Sequence, residues 1–127
     1  VTAGLSAANL ANKWLDMLGA TAFTAPPAFY VKLHTGDPGA SGASNASAVT
    51  TRQSVSWAAA SGGSKSQSGT PSWSMTASET ISHVSFWDAS SAGNFLGSAA
   101  ATTPRAVVNG DTLNLNTLTI AFTPIAA

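Results

Sequence analysis

The chain has 127 residues, enough for one domain with one hydrophobic core, and only 8% of them are charged against roughly 25% in a typical soluble domain. Five Lys and Arg balance five Asp and Glu, so the formal net charge is zero, which argues against nucleic-acid binding because that needs clustered cations. There is no cysteine, so disulfides and thiolate metal sites are excluded, and no apolar run approaches the roughly 18 residues of a membrane span.

The predicted elements begin with a helix over residues 5–18, "LSAANLANKWLDML". Leu5, Ala8, Ala11, Trp14, Leu15 and Leu18 recur at three- and four-residue spacing and form one stripe. Ser6 suits the N-cap, Gly19 suits the left-handed position past the end, and Trp14 is expected to anchor the core. The opening Val1 is expected where an initiator Met has been removed, and the first residues lack the basic segment and apolar core of a signal peptide. Pro26 and Pro27 then force an extended link.

Phe29, Val31 and Leu33 alternate with Tyr30, Lys32 and His34, the signature of a strand. Residues 35–48 follow as a loop of small residues, with a turn at Asp37-Pro38-Gly39. Ordering such a segment costs roughly 1–2 kcal/mol per residue, and contact with a neighbouring chain is expected to offset that. Val49, Thr51, Gln53, Val55 and Trp57 share the face of a further strand. Ser61 to Ser64 reads as a turn, Lys65 to Ser68 as a short polar strand, and Trp73 with Met75 as another.

Thr80 to Asp88 reads as a central strand, with Val84 and Phe86 on one face and Ile81, His83 and Trp87 on the other. Asp88 to Asn94 is a hairpin loop, Phe95 and Leu96 begin the return strand, and Ala106 to Val108 is a separate short one. Asn109-Gly110-Asp111 is a turn, because Asn-Gly takes positive φ readily. Leu113 and Leu115 alternate in one phase and Leu118, Ile120 and Phe122 in the other, so a break is expected at Asn116-Thr117. The pattern predicts a mainly β fold: an antiparallel β-sandwich of about eight short strands with one N-terminal α-helix. It reads as a single domain over 1–127, made of a helix and linker (1–27) and a β unit (28–127).

The search for chemistry is nearly empty. No G-x-S-x-G elbow or phosphate-binding glycine motif exists, and a Ser-His-Asp set built from His34 or His83 with Asp37 or Asp88 has no local motif behind it. The same residues lack metal-ligand spacing, so both Asp are expected to organise turns and both His to be structural, with no cofactor. Four Trp could form a sugar platform through Trp73 or Trp87, although all sit in segments that read as core.

Several motifs in order carry a resemblance. "VKLHTGDPGASGASNAS" followed by "TRQSVSWAAASGG", then "ISHVSFWDASSAGNFLGSA" and "VNGDTLNLNTLTIAF", resemble a family of small virion proteins of actinobacterial tailed bacteriophages. The resemblance implies a non-enzymatic structural role, with members described as tail-fibre-like, minor tail or head-decorating. With no fibrous shaft in the sequence, capsid decoration is the leading expectation, tail attachment the second and a carbohydrate-binding module the third. The expected partners are the major capsid protein and copies of the chain itself, a trimer among the arrangements, with no nucleic acid and no membrane. The candidate assembly contacts are Trp14, His34, Thr35, Gly36, Asp37, Pro38, Gly39 and Asn45.

Overall fold

The structure is a computed structural model that describes residues 3–123 and 126; Val1, the expected processed start, and part of the end of the expected 28–127 unit lie outside the described residues. The fold is mainly β, with nine strands in antiparallel sheets among the described residues. One sheet has the order β2-β1-β6-β7, formed by β1 (Tyr30–His34), β2 (Gln53–Ser54), β6 (Glu79–Trp87) and β7 (Phe95–Val107). A second has the order β3-β4-β9, from β3 (Ser56–Trp57), β4 (Ser64–Ser68) and β9 (Thr119–Ala121), and β5 (Ser72–Ser74) pairs with β8 (Thr112–Asn114).

The segment around Val55 joins two sheets. Gln53 and Ser54 pair with β1, Ser56 and Trp57 pair with β4, and Val55 between them is buried while its N–H donates to Phe29 O. Val31, Leu33, Ile81, Phe86, Leu96 and Val107 from the first sheet meet Val55, Trp73, Met75 and Leu118 in one cluster. The expected central strand is internal, as β6 lies between β1 and β7. The break at Asn116-Thr117 is also present, separating β8 from β9.

Three expectations are corrected. The helix is not one continuous α-helix: a π-turn (Ala7–Ala11) runs into α1 (Asn12–Asp16) and then a 3-10 turn (Met17–Gly19). The N–H groups of Leu10 and Ala11 both reach Ser6 O, and the wider π winding changes the phase. Leu10 therefore faces the core at 5% exposure, whereas Leu15 and Leu18 of the expected stripe are 64% and 87% exposed. Ala20, not Gly19, takes the left-handed conformation at the end.

The second correction concerns β6. Ile81 and Phe86 are both buried, although strict alternation puts them on opposite faces. The register shifts between Ile81 and His83 and again between Phe86 and Trp87, so parity changes along the strand. The third concerns β7, which continues through Val107, so Ala106 and Val107 of the expected separate strand at 106–108 belong to it. Ile81 pairs with Arg105 and His83 with Ala100, so Ala101, Thr102, Thr103 and Pro104 stand opposite Ser82 alone. All four are exposed, and Pro104 supplies no N–H to a ladder, which fits an outward excursion on an edge strand.

Candidate functional site

The loop 35–48 rests on the protein itself. His34, at the end of β1, is fully buried, with Nδ1 2.8 Å from Ser44 O and Nε2 2.7 Å from Ser85 Oγ. A carbonyl only accepts, so Nδ1 carries the proton and donates to Ser44 O. Trp87 Nε1–H donates to Ser85 Oγ at 2.8 Å, which leaves the Ser85 hydroxyl to donate to His34 Nε2. Every polar atom of this relay is satisfied with a neutral imidazole. Burial pushes the His34 pKa below its ordinary value, against the raising effect of the Ser44 carbonyl.

Backbone geometry completes the loop. Asp37 Oδ1 accepts from Gly39 N, Asn45 Nδ2 donates to Asp37 O, Thr35 N–H donates to Asn45 O, and Ser44 N–H donates to Pro38 O. Gly42, at φ +73, sits so tightly on the rings of Phe95 and Trp87 that an added Cβ would lie 2.9 Å from Trp87 Cζ2 and closer still to Phe95. Glu79 accepts from the Ser47 hydroxyl and from Ala48 N–H, fastening the far end of the loop to β6. These hydrogen bonds tie the loop to β1 and β6 of its own chain.

Of the expected contact residues, His34 and Pro38 are buried inside this arrangement and have no surface to offer a partner. Thr35 and Asn45 are exposed, Gly36, Asp37 and Gly39 are half-buried, and Trp14 stands apart on α1. The relay resembles a nucleophile and base, but His34 and Ser85 are both 0% exposed and Nδ1 meets a carbonyl instead of a carboxylate. A substrate has no route to Ser85 Oγ, and Trp87 already donates to it.

Asp88 accepts from Asn94 N–H and Asn94 Nδ2 across the hairpin, so it organises a turn, as Asp37 does. Trp73 is 2% exposed and donates its indole N–H to Thr51 O, which removes it as a sugar platform. Trp87 is covered by the Arg52 guanidinium, 3.9 Å from the ring centroid. Among the described residues no group of three or more His, Cys, Asp or Glu could hold a metal ion, and no helix is long and apolar enough to cross a membrane.

The open feature lies elsewhere, between α1 and the β3-β4-β9 sheet. It is a groove of about 460 Å³, lined mainly by Leu10, Trp14, Phe29, Val55, Trp57, Leu96, Ile120 and Phe122. Trp14 and Phe122 meet edge to face at 5.2 Å along one side, and Phe29 and Trp57 do so at 5.0 Å. Lys65 is the one charged residue lining the groove among the described residues, and its Nζ donates to Ala58 O. Phe122 is exposed at the groove, and Leu15, Met17 and Leu18, which follow Trp14 along the helical segment, are exposed as well. The sequence reading missed this site because it assigned Leu15 and Leu18 to the core. The signal was available in the surplus of large apolar residues on a short helix.

The sequence profile of the family described as "Podophage GP4 fiber I protein gp80" matches residues 5–123. The chain belongs to this family. The match spans the loop 35–48, the relay and every residue that lines the groove. Membership in the gp80 fiber family makes the chain a bacteriophage virion structural protein, and it does so without reference to an actinobacterial host. No curated protein sequence matches the chain.

Proposed function

We propose that the chain is a non-enzymatic component of a tail-associated fibre on a phage particle. The family match over residues 5–123 carries this reading, because that family is described as a fiber protein. The sealed Ser85–His34 pair supports the non-enzymatic part. The neutral exterior, poor in charged groups, suits a subunit that works among closely packed neighbours. Thr35 and Asn45, with Gly36, Asp37 and Gly39, are the loop residues open to lateral contacts in that setting, and Trp14 serves the groove end.

Capsid decoration is the second reading, favoured by the compact β fold, which has no fibrous shaft among the described residues. Gold-labelled antibody against the chain, applied to intact particles, distinguishes the two. Label confined to the tail region is the expected result. Label spread over the head would transfer the chain to capsid decoration, with the major capsid protein as partner.

A further inference from the structure

The helical end carries two apolar features side by side. One protrudes: Leu15, Met17 and Leu18 are 64%, 49% and 87% exposed, on a segment whose phase turns them away from the core. The other is the groove, bordered on the helix side by Trp14 and on the sheet side by Lys65 and Phe122. Scattered apolar side chains on a surface need no explanation, and an ordinary monomer's largest apolar patch already reaches roughly 300–600 Å², so the pairing of a protrusion with a groove, and not area alone, is what points to a partner. With Phe122, the exposed parts here amount to roughly two and a half whole side chains, or about 400 Å².

We propose that a second copy of this chain covers this end, with Leu15, Met17 and Leu18 of each copy entering the groove of the other. The protrusion and the groove adjoin at Trp14, so a two-fold axis beside Trp14 lets two copies exchange protrusions reciprocally and closes the contact. The protrusion carries one carboxylate, Asp16, between Leu15 and Met17, and the one charged residue lining the groove among the described residues is Lys65, of opposite sign. The chain's zero net charge adds no repulsion between copies. Protrusion and groove together fall short of the roughly 800 Å² per partner of a stable interface, so the pairing is a weak, concentration-dependent one. The pairing does not depend on whether the chain sits on head or tail.

Sedimentation equilibrium of the purified chain tests it. A concentration-dependent dimer is expected, and the double variant Leu15→Ser/Leu18→Ser weakens it at least about 30-fold. Both side chains are exposed, so circular dichroism should report an unchanged fold. Asp16→Lys or Lys65→Glu alone weakens the dimer about 3-fold to 5-fold, and combining them restores it, a rescue that only a contact between copies produces. A chain that stays monomeric throughout overturns the proposal. So does a dimer indifferent to Leu15→Ser/Leu18→Ser, or a charge-swapped double variant that binds no better than either single one.

Discussion

Gly42 shows how a loop with almost nothing to bury is held. Its φ of +73 disfavours an L side chain, and its Cα lies where a Cβ would overlap the Phe95 ring. Gly42→Ala should therefore destabilise the protein by about 2–4 kcal/mol, combining left-handed strain with overpacking, and urea denaturation checks it. A neutral Gly42→Ala would mean that the loop does not rest on Phe95 and Trp87. His34 acts on the same loop from below. Its folded pKa is lowered by burial, so the unfolded chain takes up a proton near its ordinary value of 6.5 while the folded chain resists. The His34 contribution is complete above pH 6.5 and is lost as pH falls toward the lowered folded value. Urea midpoints should decline between pH 7.5 and 5, and His34→Gln should flatten that decline while lowering stability throughout. An unchanged slope in His34→Gln would remove His34 from the account. The sequence placed His34 on a strand beside the loop, but nothing local could reveal Ser85, which lies 51 positions away and meets it across β1 and β6.

At the scale of the element, the helical segment separates two leucines that look equivalent in sequence. Leu10 is buried in the cluster with Val31, Phe86 and Leu96, so Leu10→Ala should cost about 2–5 kcal/mol. Leu18 is 87% exposed, and Leu18→Ser should stay within about 0.5 kcal/mol of the parent in dilute solution. Thermal unfolding of the two variants at low concentration decides it, and the reverse order would restore the expected stripe. The strands were more legible than the helix. Alternation at Val31 and Leu33 and the turns at Asp37, Gly62-Gly63 and Asn109-Gly110 mark real elements, because period-two burial and positive φ are local properties. The faces of β6 were legible only up to its bulges. The shift at Ser82 arises from the extra residues of β7 opposite it, a pairing between segments that no single strand announces. The groove was illegible for the same kind of reason. A π-turn set by Ser6 rotates the helix, and the apolar stripe that sequence periodicity sends inward is partly left outside.

At the scale of the whole molecule, a neutral exterior and an uncovered apolar end are the two features on which the proposed packing among neighbours rests. Composition alone pointed that way, since 8% charged residues provide little colloidal protection to a free monomer. Motif order carried the virion assignment, and the family match over 5–123 supports it at that level. The loop 35–48 directs many of its hydrogen bonds to its own body, whereas the helical end leaves Leu15, Met17 and Leu18 uncovered. If the proposed pairing holds, this end is covered within the particle. A cryo-EM map of the intact virion, at a resolution that traces side chains, tests it most directly. The expected density shows this β fold in the particle, with Leu15, Met17, Leu18 and the groove beside Trp14 packed against another chain. A map in which the fold is present and that end faces bulk solvent would contradict it.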